Sequence, residues 1–234
     1  MRRRCALVLT AAFLAGISRV AAAQQTSVEV WPELDAYVRV SPAARWFVVA
    51  QPVISGDDSS LSEAHFGGYF EVGIAPMSPE RRNGAFDEDK LRYLRVRVGY
   101  RAVWIKGADG ENTHERRVVA DLTPRFFLPF NVLFMQREAV DFRWIDGAYS
   151  WRFRPRVWLE RETRIGKVTT IPYWSVEPFY DSRYATWNRT LYQTGIVIPV
   201  SRQVAPEIYY GRQIDRQPTQ KTTNALGVMA TLYY

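Results

Sequence analysis

The chain has 234 residues, with 31 Lys+Arg against 24 Asp+Glu, two histidines and a single cysteine. Arg2, Arg3, Arg4 and Arg19 lie in the first 23 positions with no acid beside them, so the rest carries 31 − 4 = 27 basic against 24 acidic groups, a net +3. That bias, with no basic helix or RNA-reading motif, argues for no nucleic-acid partner. Cys5 is the only cysteine, so nothing after it can form a disulfide or a thiolate metal site; no metal-ligand spacing, phosphate-cradling loop or nucleotide fingerprint occurs, and no cofactor is expected.

Residues 1–23 have the layout of a cleaved secretory signal: three arginines, an apolar core over residues 6–17, and Ala21-Ala22-Ala23 as the small-residue cleavage site. The apolar core is too short to span a bilayer. Residues 24–234 then read as one exported domain, because no Ser/Gly/Pro linker divides them. No later apolar run reaches the length of a membrane-spanning helix, so an integral membrane protein would have to be a barrel.

Period-two alternation runs through almost the whole remainder. Residues 29–40 set Glu29, Trp31, Glu33, Asp35, Tyr37 and Arg39 against Val30, Leu34 and Val38; Ser41-Pro42-Ala43 turns, and residues 45–54 return with Trp46 and Val48 on the apolar face. Residues 65–76 form a third strand that carries three glycines. Ser78 to Lys90 reads as a long charged loop. The clearest alternation follows over residues 94–104, L-R-V-R-V-G-Y-R-A-V-W, and a turn at Gly107-Ala108-Asp109-Gly110 leads into residues 113–125. Pro129 marks the next turn; residues 132–145 form a strand with Glu138 out of place on its apolar face, and Asp146-Gly147 turns into residues 151–162. Strands over residues 169–181, 185–200, 205–216 and 224–234 complete the chain.

These are about eleven strands, each with one apolar and one charged face. Bacterial single-chain barrels have an even number. The expected fold is therefore an all-β, transmembrane, antiparallel up-and-down barrel of about twelve strands, ten being next, with the uncounted strand expected between residues 54 and 91. Trp46, Trp104, Trp144, Trp151 and Tyr234 stand near strand ends, as interfacial girdles require, and the apolar faces are aromatic in nearly every strand. Against closure stand Pro32, Pro52, Pro155, Pro172, Pro178 and Pro199, each of which deletes a ladder hydrogen bond.

Several stretches carry a resemblance: W-P-E-L-D-A-Y at residues 31–37, R-V-G-Y-R at 97–101, W-R-F-R-P-R-V-W-L-E-R at 151–161, P-Y-W-S-V-E-P-F-Y at 172–180, and the closing Tyr233-Tyr234. Together they resemble an uncharacterised bacterial family catalogued as a domain of unknown function, number twenty-four ninety. The resemblance implies a barrel in the outer membrane of a Gram-negative bacterium and no established activity. Leu232-Tyr233-Tyr234 also resembles the C-terminal signal read by the barrel-assembly machinery.

Parity turns Arg95, Arg97, Arg101, Arg117, Asp121, Arg137, Asp141, Arg143, Arg152, Arg154, Arg156, Glu160, Glu177, Arg189 and Glu207 into the lumen, with Arg39, Arg45, Arg125, Glu29, Glu33, Asp35, Glu71, Glu115, Glu162, Asp181 and Asp215 beside them. The signs nearly cancel, so a cross-strand network of Arg–carboxylate pairs is expected to fill the interior. A narrow, porin-like pore for small anionic solutes is the sharper expectation, with Arg95, Arg97, Arg101, Arg152, Arg154 and Arg156 as its ladder. The alternative is a lipid- or peptide-hydrolysing outer-membrane enzyme. Its general base would be a rim histidine, His65 before His114, since Ser59, Ser60 and Ser62 precede His65. No catalytic or metal residue is assigned. On the lipid-facing reading Val98→Arg is expected to be costly and Gly99→Ser mild.

Overall fold

The computed structural model describes residues 25–77, 88–107 and 111–234. The expected leader with Cys5, most of the Ser78–Lys90 loop, and residues 108–110 of the glycine turn lie outside them. The described residues form β1 (Gln25–Ser41), β2 (Ala44–Ser55), β3 (Leu61–Pro76), β4 (Arg92–Lys106), β5 (Asn112–Leu128), β6 (Val132–Ile145), β7 (Ala148–Glu160), β8 (Thr163–Ile165), β9 (Val168–Asp181), β10 (Thr186–Val197), β11 (Val204–Asp215) and β12 (Lys221–Tyr233). Short 3-10 turns at Glu88–Leu91 and Pro129–Asn131 are the helical pieces among them.

Each of the eleven alternating segments has a strand as its counterpart. The twelfth strand is β8, placed after β7 rather than between residues 54 and 91, and it pairs with β9 alone, from Thr163↔Thr170 to Ile165↔Val168. Gly166, at φ 63°, turns the chain straight back, so β8 extends a hairpin beyond the wall. Eleven strands therefore close the barrel. With an odd number the first and last strands run the same way: β1 is parallel to β12 from Gln25↔Lys221 to Tyr37↔Tyr233, and every other neighbouring pair is antiparallel.

The stagger follows from the registers. From Asp121, paired residues lead one way through Arg97, Glu71 and Arg45 to Arg39. The other way they lead through Ala139 to Arg154, across the unpaired interval to Phe179 by continuation of the register, and on through Arg189, Asp215 and Lys221 to Gln25, an offset of 39 − 25 = 14 residues. Strands so staggered tilt strongly, and eleven of them enclose more than the side-chain-filled core of an eight-stranded barrel. The lumen accordingly holds a cavity of about 1240 Å³.

The charged faces point in and the apolar faces out. Asp121, Asp141, Glu177 and Asp181 are buried, whereas Trp46, Phe66, Val98, Trp104, Trp174 and Leu226 are exposed. Of the charged residues expected inside, Arg39 and Glu162 are exposed at the barrel end, Arg39 beside the β1–β2 turn and Glu162 because β7 stops at Glu160; Arg116 and Arg212 are exposed on the outer face. Glu138 does face outward at mid-strand, where Gln136 donates to it at 2.6 Å.

Register explains how a closed barrel tolerates four of its prolines. In β7–β9, pairing stops after Phe153↔Tyr180 and resumes at Val157↔Val176, so Pro155 and Pro178 stand opposite each other in the interval. In β1–β2, pairing stops at Val30↔Ile54 and resumes at Leu34↔Ala50, with Pro32 opposite Pro52. Two missing N–H groups thus share one interruption instead of spoiling two ladders. Pro199 lies beyond β10.

Gly99 corrects the expectation that serine is tolerated there. A Cβ on Gly99 would lie 2.4 Å from the Gly68 carbonyl oxygen and 2.7 Å from Tyr69 Cα. The inward Tyr69 ring covers the β4 backbone at that point, and backbone cannot step aside. Tyr209 covers Gly227 in the same way, its Cζ 2.0 Å from the Cβ position.

Candidate functional site

Three clusters of ion pairs line the lumen. On β2–β5, Arg45 meets Glu71 at 2.6 Å and Arg97 meets Asp121 at 2.6 Å. Arg95 lies between them, 3.5 Å from Glu71 and 3.6 Å from Asp121, and donates to Thr123 at 3.0 Å. Nearer the N-terminal end, Glu115 takes Arg117 at 2.6 Å and also Arg143, which reaches on to Asp181 at 2.6 Å. On β6–β9, Asp141 takes Arg152 and Arg154, each at 2.8 Å, while Glu177 takes Arg137 at 2.5 Å, Arg154 at 3.0 Å and Arg156.

Alternation alone puts these groups on one face, but the pairing needs the register. Asp121 sits directly across from Arg97, and Asp141 directly across from Arg152. Arg–carboxylate pairs across adjacent strands use the planar fork of the guanidinium, and in a low-dielectric wall they are strong only when every charge has its partner.

The remaining predicted residues are placed as follows. Glu160 accepts from Lys90 at 2.9 Å and from the Trp158 indole at 2.9 Å. Arg189 pairs with Asp215 at 2.5 Å, and the Tyr173 hydroxyl donates to Glu207. Arg101 contacts no carboxylate among the described residues; it donates to Gln51 at 3.1 Å. Thirteen of the fifteen line the lumen cavity, and Asp121 and Asp141 are buried among their arginine partners.

Parity did not reveal the aromatic half of the lumen. Trp31, Val53, Tyr173, Phe179, Leu191, Tyr209 and Ala225 form one buried cluster, on β1, β2 and β9–β12. Phe179 joins the two chemistries, with the guanidinium carbons of Arg152 and Arg154 at 5.3 and 5.7 Å from its ring centre. Their positions on the inward parity could have signalled them, since large apolar groups are out of place on a charged face. Lys90, Leu91 and Met77 carried no periodic signal; Leu91 and Met77 are buried, and Met77 packs with Leu133 and Met135 at one end of the lumen.

The two proline interruptions divide the wall into β2–β7 and β9–β12 with β1. Every inward strand arginine except Arg189 is on the first part; Glu29, Glu33, Asp35, Glu177, Asp181, Glu207 and Asp215 are on the second. The first part, which also holds Glu71, Glu115, Asp121, Asp141 and Glu160 and the Phe47–Tyr69 cluster, thus carries the excess of arginine, and the second the excess of carboxylate.

The two rim histidines and the serine beside one of them have the following partners. His65 Nε2 lies 2.8 Å from Glu63, and the Ser62 hydroxyl donates to the Val53 carbonyl at 3.0 Å rather than to His65. His114 is exposed, its backbone N–H bonded to Asp146 at 2.9 Å. No group of potential metal ligands occurs among the described residues.

These features define a closed β-barrel with a charged lumen and an apolar exterior. The family model described as "Protein of unknown function (DUF2490)" matches residues 91–224, more than half of the chain, and the chain belongs to that family. No curated protein and no solved structure matches it.

Proposed function

We propose that the chain is an outer-membrane β-barrel whose charged lumen is a narrow pore. One observation carries the reading: Trp, Phe, Leu and Val side chains are exposed around the outside while ionised side chains are buried within. A water-soluble barrel needs the opposite arrangement, and a lipid-solvated one needs this one. The secretory leader and the terminal aromatics support an outer-membrane location reached through the barrel-assembly machinery, with outer-membrane lipids as surroundings. The cavity of about 1240 Å³ favours a lined passage over a filled interior.

Planar-bilayer recording of the refolded chain under a salt gradient tests this. A small steady conductance with weak anion preference is expected, because Arg101 is the one of the six ladder arginines that makes no ion pair among the described residues. Arg101→Ala should lower that preference more than Arg97→Ala, whose charge Asp121 already balances. Silence from barrels shown to be inserted would overturn the pore.

A further inference from the structure

The two proline interruptions differ on their lumenal side. Across β7–β9, Glu177 replaces the missing backbone bonds with side-chain ones, holding Arg154 and Arg156 from the facing strand. Across β1–β2 nothing does so. The inward residues there, by continuation of the register, are Trp31 opposite Val53 and Glu33 opposite Gln51; no ion pair or hydrogen bond joins these side chains across the interruption among the described residues. Three unpaired residues, Trp31, Pro32 and Glu33, lie between the last paired position below and the first above, a span of four steps or about 13 Å of strand at the usual rise. A third break, at Pro124 on β5, omits two pairs, from Leu122↔Glu138 to Arg125↔Met135; the break where Pro32 meets Pro52, on the outward, apolar face, omits three and is the longest that no side chain bridges.

The lumen behind this point is chemically graded. Trp31 and Val53 belong to the buried aromatic cluster. One step along, Glu33 stands across from Gln51, which accepts from Arg101. Asp35 follows, buried, with Oδ1 lacking any hydrogen-bond partner, and the Arg101 Nε is likewise buried and unpartnered. An apolar surface therefore adjoins unsatisfied carboxylate and guanidinium groups, all facing a cavity larger than most small-ligand pockets.

We propose that the Pro32–Pro52 seam is a lateral port through which a single-chain amphiphile with a zwitterionic amine–phosphate head passes between bilayer and lumen. The chain lies against Trp31 and Val53, the amine is held by Glu33 and Asp35, and the phosphate by Arg101. This rests on the membrane reading above.

The test uses the mature chain refolded into vesicles and detergent, with palmitoyl lysophosphatidylethanolamine as probe and adducts counted by native mass spectrometry. Flotation with vesicles comes first; a chain that does not float overturns the membrane reading and the port with it. A floating barrel should carry one lipid. Pro32→Val with Pro52→Val restores both N–H groups and zips the seam, and should cut adduct formation by about tenfold or more at matched exposure. The same exchange at Pro155 and Pro178 should leave it unchanged. Glu33→Gln and Arg101→Gln should each weaken the adduct without slowing its formation. No adduct on an inserted barrel, equal loss from both seams, or equal binding of the lysophosphatidylglycerol analogue, which lacks the amine, would overturn the port while leaving the barrel reading intact.

Discussion

Glu177→Gln is the most telling perturbation of the lumen, since it deletes one charge and strands two. Glu177 is 1% exposed and accepts from Arg137, Arg154 and Arg156. Arg154 keeps Asp141 at 2.8 Å after the change, but Arg137 and Arg156 meet no other carboxylate among the described residues. Removing one partner of a buried pair destabilises by about 3–5 kcal/mol. The adjoining cavity admits water to the stranded guanidinium groups, so the lower end, about 3 kcal/mol, is expected. Urea unfolding in micelles, followed by tryptophan fluorescence and by heat-modifiable migration, measures it. Adding Arg137→Gln should restore part of the loss, because it removes an uncompensated charge. A Glu177→Gln barrel within about 1 kcal/mol of wild type, or a double variant whose loss is the simple sum, would refute the reasoning that these pairs hold the wall.

Gly227→Ala should destabilise by about 1–3 kcal/mol through overpacking and be rescued by Tyr209→Ala; Gly99→Ala should resist rescue by Tyr69→Ala, since the Gly68 carbonyl oxygen still lies 2.4 Å from the new Cβ. Both are read by urea midpoints. Val98→Arg, 52% exposed at mid-strand, should lower stability in vesicles by about 2–4 kcal/mol, and Gln193→Lys in the lumen by much less; equal tolerance would end the inside–outside assignment. Cysteine pairs at Val30 and Leu226, and separately at Leu34 and Ala230, should both form disulfides on oxidation, because β1 and β12 keep one constant offset. Formation of only one pair would show that the strands cross antiparallel.

Alternation made most of the wall legible. The spacing of Arg95, Arg97 and Arg101 against Val96, Val98 and Tyr100 assigns the faces without any partner strand, since parity is a property of one strand. Which acid meets which arginine is a property of two. Arg97 with Asp121 is set by the β4–β5 register and Arg143 with Asp181 by contact across non-adjacent strands, so neither can be read locally. The prolines illustrate the same boundary: Pro155 in isolation argues against a closed sheet, and only the register that sets Pro178 opposite it removes the objection. The parallel closure is hidden for a further reason. It depends on the number of spanning strands, and β8, which looks like part of a turn, adds a strand to the count without adding one to the barrel.

The order in which the wall can form follows from those separations. From β2 to β12 each strand pairs with its spanning neighbour through a hairpin, short in sequence except at the β3–β4 connection, whereas β1 must find β12 some 196 residues away, as Gln25↔Lys221 shows. Loop closure makes such a contact unfavourable until the intervening hairpins exist. The side chains at that junction suit a last step: Tyr37 stacks on Tyr233 at 5.3 Å and on Phe47 at 4.6 Å, and Arg45 lies 3.9 Å over the Tyr37 ring. The Tyr37–Tyr233 stack itself involves no charge, and the Arg45 over the Tyr37 ring is already fixed by Glu71 on β3. The charged clusters, by contrast, lie within β2–β5 or bridge β5–β9, inside the part of the wall built from successive hairpins. Burying arginine and carboxylate there is favourable only as pairs, so that part of the wall must zip in register before the lumen closes over it.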